Sequence, residues 1–373
     1  MPLKRVCLAV CVGVATVLLT GCGDPGWVQV SPNGDYVTVV RKPPDAPANS
    51  EELELELHHI DRRTTTPIFR FSRDEKSSNA GWVYNVQWTP DSRALCFSWL
   101  PFESPDAEGS SAANDARPTE TVQPTESQPR LMLYEVASGQ LTQLPISVHA
   151  PRWSADGRLL IGVGEEDTLC IYRTDTWNCT QRIPISEREF TGVVVWEWAH
   201  WLQTTPPKAV VHLGVMSREP LPARRGNLFI LHKEQLMPLT TSGDVQAFCV
   251  DKTGVVLRWV SVQPEKSLAV YERPLQGTAA RRIALIPDAV LPADAHPDTT
   301  YYRFSPDGRR LAWYTEDNFY VLEIATGVVH TLNARALPDT KIGVLFDWRD
   351  SETLVVQRGL GLLETHTVRT LYP

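Results

Sequence analysis

The sequence predicts an all-β protein built from repeated four-stranded units, and three observations carry that expectation. A segment of one layout recurs along the chain: an aromatic or apolar strand, a small polar residue, a tight turn, then another apolar strand. A second kind of hairpin often follows it, so each repeat holds two hairpins and four strands. The composition agrees, with 29 Pro and 22 Gly among 373 residues and only 21% charged residues, which favours turns over long helices. Hydrophobic residues make up 42% of the chain, enough for a sizeable core, and twelve Trp argue against a disordered one.

The first hairpins read Trp27-Val-Gln-Val-Ser-Pro-Asn33-Gly34, Val86-Gln-Trp88-Thr-Pro-Asp91-Ser, Arg152-Trp153-Ser-Ala-Asp156-Gly157, Ala247-Phe-Cys-Val-Asp-Lys-Thr253-Gly254 and Tyr302-Arg-Phe304-Ser-Pro-Asp307-Gly308. Weaker kin stands at Phe346-Asp-Trp348-Arg-Asp350-Ser351. Each turn has the same chemistry. Pro presets φ, Asp or Asn bonds the local backbone, and Gly supplies the left-handed closing residue. The second hairpins close at Gly139 and Gly327, in three-residue turns ending on a left-handed position. The spacing from Asp156 to Thr253 is about twice the others and predicts a diverged unit around Val193 to Leu239. Counting it predicts seven units of about 50 residues and hence a β-propeller of seven four-stranded blades. The strand near Trp27 to Val40 is expected to complete the last blade with the C-terminal strands, closing the ring.

These residues resemble the TolB-type, WD40-like β-propeller repeat, whose signature is close to apolar-x-Trp-Ser-Pro-Asp-Gly-x-x-Leu. Residues 152–160 and 302–313 match it well, those near 27 and 83 in part, and 193–239 hardly at all. The resemblance speaks for the fold and leaves function open, because propellers host enzymes, receptors and scaffolds alike.

The N-terminus predicts location. Lys4 and Arg5 precede an uncharged run, Val6 to Leu19, too short to cross a bilayer and laid out as a secretory signal. Leu19-Thr20-Gly21-Cys22 resembles the lipobox of bacterial lipoproteins. The resemblance implies cleavage between Gly21 and Cys22 and a lipid on the Cys22 thiol, with several acyl chains holding firmly to a bilayer. The expected organisation is a signal peptide over 1–21, a lipidated tether over 22–26 and a propeller over 27–373. Within the propeller, residues 103–129 carry six acidic residues against one Arg and a single large apolar residue, Val122. They read as a disordered insertion between the two hairpins of the second blade.

Motifs for chemistry are absent from the sequence: no His-Glu-x-x-His, no Gly-x-Ser-x-Gly, no phosphate-cradling Gly-x-x-x-x-Gly-Lys. His58 and His59 are neighbours on a strand and so point to opposite faces, a poor chelate. The net charge of −8 speaks against nucleic acid as a partner. No cofactor is expected, and the protein is expected to be monomeric. Cys170 and Cys179 are near enough in sequence to face each other across a hairpin as a disulfide; buried free thiols are the alternative. One aromatic excess remains, Trp196-Glu-Trp198-Ala-His200-Trp201, whose alternation puts Trp196, Trp198 and His200 on one face. It reads as a ligand surface or as packing between blades. The functional expectation is an exported, membrane-anchored binding scaffold for envelope proteins, peptides or glycans. The alternative is an envelope lyase or hydrolase on saccharides, with its site in the central channel.

Overall fold

The computed structural model describes residues 28–47, 49–74, 77–102, 129–164, 168–185, 199–216, 224–251, 253–263, 267–286, 302–314, 318–333, 344–358 and 362–367. They form 27 strands. The first sheet holds β1 (Gln29–Val30), β2 (Tyr36–Arg41), β3 (Glu52–His59) and β4 (Thr64–Ser72). The second holds β5 (Gly81–Trp88), β6 (Ala94–Pro101), β7 (Arg130–Glu135) and β8 (Gln140–Gln143). The third comprises β9 (His149–Trp153), β10 (Leu159–Val163), β11 (Thr168–Arg173) and β12 (Cys179–Pro184), and the fourth β13 (Ala199–Leu202), β14 (Lys208–Met216), β15 (Arg224–His232) and β16 (Gln235–Pro238). The fifth has β17 (Val245–Val250), β18 (Val256–Val262), β19 (Leu268–Pro274) and β20 (Arg281–Ile286). The sixth has β21 (Tyr302–Phe304), β22 (Arg310–Tyr314), β23 (Asn318–Glu323) and β24 (Val328–Asn333). The last comprises β25 (Val344–Trp348), β26 (Thr353–Arg358) and β27 (Leu362–Thr367).

Every sheet is an antiparallel meander in chain order, and the first strands of neighbouring sheets meet: β25 with β1, β1 with β5, β5 with β9, β9 with β13, and β17 with β21. This is a β-propeller with the first strand of each blade innermost. Two expectations are corrected. Six blades are four-stranded among the described residues, where seven were expected, and the last sheet has three strands. Nor does the N-terminal strand complete that sheet. β2 pairs with β1 along one edge and with β3 along the other, so it has no free edge to offer β27. The diverged unit is the fourth blade, and the chain leaves the hairpin β5–β6 at Pro101 and enters β7–β8 at Arg130, with 103–128 of the expected insertion outside the described residues.

The turns explain why the repeat folds as it does. In four blades a hydroxyl bonds the carboxylate or amide oxygen two residues on: Ser31 to Asn33 at 2.7 Å, Thr89 to Asp91 at 2.7 Å, Ser154 to Asp156 at 2.6 Å and Ser305 to Asp307 at 2.6 Å. The same hydroxyl accepts the backbone N–H five residues on, for example Leu159 to Ser154 at 2.9 Å. In the fifth blade Asp251 takes the hydroxyl's place and accepts from Val255 and Val256, both at 2.9 Å. The closing residue is left-handed, with φ of 70° at Gly157 and 67° at Gly308. The second blade puts Ser92 there at φ 61°, and its Oγ accepts the Asn33 N–H of the first blade at 3.0 Å. That bond offsets the strain of a non-glycine residue in the left-handed region.

These bonds make stability depend on pH. The Ser154 hydroxyl and the Arg158 N–H hold the Asp156 carboxyl below the usual carboxylate value. For Asp91, Asp251 and Asp307, burial opposes ionisation, but the turn bonds outweigh it and those carboxyls are lowered too. A carboxylate with a lowered folded pKa stabilises fully above its unfolded value, 3.8 for Asp. That stabilisation is lost as pH falls through the folded value. We expect the urea midpoint to hold from neutral pH to about pH 5 and to drop below about pH 4. Asp156→Asn should shrink that acid-limb drop, and Asp156→Ala should cost about 1 kcal/mol at neutral pH. An acid limb unchanged in Asp156→Asn would show that this turn does not contribute.

Apolar clusters fill the seams between blades. Leu55, Phe71, Phe97 and Trp99 lie between the first and second blades, Ile161, Leu169, Val211 and Phe229 between the third and fourth, and Val210, Leu228, Phe248 and Trp259 between the fourth and fifth. Each such side chain contributes about 2–3 kcal/mol by leaving water, so the seams hold the ring. Closure between the last and first blades adds polar bonds: Gln357 Nε2 donates to Val40 O at 2.8 Å, and Arg349 pairs with Asp61 at 2.9 Å.

Candidate functional site: the inner ring

The inner strands carry two structural columns. The first is Trp88, Trp201 and Trp348, each donating its indole N–H at 3.1 Å to a backbone carbonyl on the preceding blade: Gln29, Arg152 and Arg303. Trp153 takes the corresponding place but donates to Cys96 Sγ at 3.3 Å. Trp201 therefore belongs to the packing column of the repeat. It is buried among Ala150, Ile161 and Val211, and the ligand reading does not hold for it. Of the other residues proposed with it, Trp196 and Trp198 lie outside the described residues. Gly21 and Cys22 lie outside them as well.

The residue just before this column forms a second ring, one member per blade: Gln29, Gln87, Arg152, His200, Cys249, Arg303 and Asp347. On a strand these side chains point opposite to the Trp column. Most members are polar, although the strands around them are largely apolar. Arg303 reaches into the next blade and bonds Asp347 at 2.6 Å, and the other oxygen of Asp347 accepts the Val30 N–H of the first blade at 2.8 Å. One carboxylate thus ties three blades. A further inter-blade bond joins Tyr84 Oη on β5 to His149 Nδ1 on β9 at 2.9 Å. His200 is the exposed member. Desolvation by the protein packed around it lowers its pKa and favours neutral imidazole.

The sequence offered a signal for this ring that motif searching missed: aligning the repeats on the turn and reading the column before Trp. A second unforeseen feature is the row Glu52, Glu54, Glu56 on β3, legible in the alternation Glu-Leu-Glu-Leu-Glu-Leu. Glu56 is 2% exposed and pairs with Arg41 and His58. Burial works against its ionisation, and the His58 and Arg41 bonds overcome it. Burial first, and then the charge of Glu56, raise the Glu54 carboxyl. This pair stands on the third strand of its blade, away from the inner ring. His59 turns to the other side and meets Tyr36 edge-on at 4.9 Å, so the two adjacent imidazoles diverge as their alternation requires. Among the described residues no group of three or more His, Cys, Asp or Glu is placed to hold a metal ion.

The turn residues Asn33, Gly34, Asp91, Asp156, Gly157, Gly254, Asp307 and Gly308 all sit in the first-hairpin turns. Cys170 and Cys179 are free thiols, and the hairpin register sets Cys170 opposite Arg182 and Cys179 opposite Tyr172.

No protein-family model matches the chain, and no curated protein matches it. Solved structures do. The β-propeller domain of Cps50 (Swd1) from Myceliophteria thermophila superposes with a TM-score of 0.56 at 10% identity, over 91% of this chain and 96% of that one. An oligogalacturonate lyase in complex with manganese gives 0.58 at 11% identity, over 95% and 91%. The C-terminal WD40 domain of Sif2 gives 0.51 at 11% identity, over 91% and 79%. At these identities the likeness shows the fold alone, a β-propeller, and one of these neighbours is a lyase.

Proposed function

We propose that the protein is an exported lipoprotein, anchored through Cys22, whose propeller is a non-catalytic scaffold that binds an envelope protein, peptide or glycan. The observation that carries this reading is the use made of the inner ring. Its described carboxylate, Asp347, is spent on Arg303 and the Val30 N–H, and Tyr84 and His149 bond each other. These groups hold blades together, which suits a rigid binding platform better than a site that must move protons. The ligand surface in this reading is Trp196, Trp198 and His200, which strand alternation in the sequence would set on one face, away from the buried Trp201. The anchor rests on the signal layout and the lipobox resemblance at residues 19–22.

The test is capture of partners from detergent-solubilised envelope, with the wild-type chain, Cys22→Ser and Trp198→Ala compared. Wild type should retain a partner that Trp198→Ala loses while keeping its far-ultraviolet spectrum, and Cys22→Ser should lose the lipid mass but still bind. An unchanged mass in Cys22→Ser refutes the anchor, and equal capture by Trp198→Ala refutes the surface.

One observation favours a catalytic reading instead. His149 and His200 stand on the adjacent inner strands β9 and β13, where imidazoles can serve a saccharide lyase or hydrolase. Incubation with oligogalacturonate, with and without manganese, tests it. Unsaturated products that disappear in His200→Ala would replace the scaffold reading.

A further inference from the structure

The third blade carries a thiol pair that the binding reading does not use. Cys170 lies on β11 and Cys179 at the start of β12, and a bulge between Ile171 and Tyr172 shifts the register so that Cys179 faces Tyr172 and Cys170 faces Arg182. Without that bulge the alternation would turn the two cysteines apart. With it they share a face one diagonal step from each other, and the Cys179 thiol donates to Gln181 O at 3.2 Å. Both belong to the cluster between the second and third blades that also holds Tyr172, Trp153 and Trp177. Gly164 leaves the room the Cys170 sulfur needs, since a Cβ there would come within 2.8 Å of it.

The connecting turn is strained. Trp177 sits at φ 56°, the position that Gly139 and Gly327 occupy in the second and sixth blades, and is held against Trp153 with ring centroids 6.0 Å apart. The two sulfurs differ in access. Cys170 is 2% exposed, whereas Cys179 is half-buried, and Arg182 lies beside both. Burial raises the Cys170 thiol, and the nearby Cys179 adds to this. Cys96, in the same cluster, is fully buried and pushed up to about 12, so it is inert at neutral pH.

We propose that Cys170 and Cys179 form an oxidisable dithiol, converted by a small-molecule or protein disulfide into a cross-strand disulfide that pins the outer hairpin of the third blade. The accessible Cys179 loses its proton and attacks one sulfur of the donor disulfide, whose other half leaves as a thiol and takes that proton. Cys170 then loses its proton and attacks the Cys179 sulfur. The mixed disulfide breaks, the second half leaves as a thiol, and the S–S bond within the chain forms. The protein is oxidised by two electrons and the donor disulfide is reduced to two thiols.

The test uses the purified full chain, reduced, freed of reductant and then exposed to oxidised glutathione. Peptide mapping by mass should show the segments bearing Cys170 and Cys179 joined, with the pair lighter by two hydrogens and both residues lost together from alkylation. Reduction should restore them, and the oxidised form should unfold at a higher temperature than the reduced one. In Cys170→Ala, Cys179 should instead keep a glutathione adduct. In Cys179→Ala, Cys170 should remain alkylatable after unfolding. Two residues still alkylated in the wild-type chain, or a bond to Cys96 or Cys249, would overturn the proposal. The Cys179→Ala variant changes a half-buried side chain and so keeps the test open if Cys170→Ala fails to fold.

Discussion

Asp347→Ala should cost about 3–5 kcal/mol of stability, among the largest losses any single side chain in this propeller can cause. The carboxylate holds the guanidinium of Arg303 at 2.6 Å, and Arg303 is only 4% exposed. Removing the acid leaves that charge buried without this counter-ion, and the cost of its desolvation falls on the folded state. The same change removes the acceptor of the Val30 N–H, so the last blade loses a bond to the first as well as to the sixth. Asp347→Asn separates the two effects. It can still accept from Val30 but carries no charge, and it should lose less than the alanine variant. Urea unfolding followed by tryptophan fluorescence measures both. A loss below about 1 kcal/mol in Asp347→Ala would mean that Arg303 finds solvent or another anion in the folded ring.

Trp201→Ala should cost about 3–5 kcal/mol, by opening a cavity in the seam between the third and fourth blades. Trp201→Phe should cost far less, about 1–2 kcal/mol, because it keeps the ring in the seam and loses chiefly the 3.1 Å bond to Arg152 O. The contrast bears on function as well. Trp201 shares its column with Trp88 and Trp348 and faces away from His200, so Trp201→Phe should leave partner capture unchanged while Trp198→Ala abolishes it. Thermal unfolding and the capture assay on the same two variants check this. Equal destabilisation by Phe and Ala would mean that the indole N–H, and not the volume, holds the seam.

Much of the propeller was legible residue by residue. Asp156-Gly157 and Asp307-Gly308 announced their turns because the bonds that make them span only two to five residues, and local chemistry decides them. The diverged fourth blade was legible only from spacing, since its longer first hairpin, with Trp201 opposite Ala209, lacks the Asp-Gly signal. The column of Trp residues was visible, but for Trp201 the sequence left packing between blades and an aromatic ligand surface both open, because Trp196 and Trp198 stand beside it; its bond to Arg152 O places it in the packing column. Which face of a strand meets the preceding blade is a property of the assembled ring.

The all-β class, the repeat and the turn chemistry could be read from the amino acids alone, because each depends on residues close together in the chain. The folded ring settled that β1 and β2 pair within the first sheet rather than with the last sheet, and that six sheets reach four strands among the described residues. It also settled that Asp347 joins three blades and that a bulge puts Cys170 and Cys179 on one face of their hairpin. In each case the outcome turns on which partners compete for the same edge, charge or space, and those partners lie tens to hundreds of residues apart or across a one-residue shift in register.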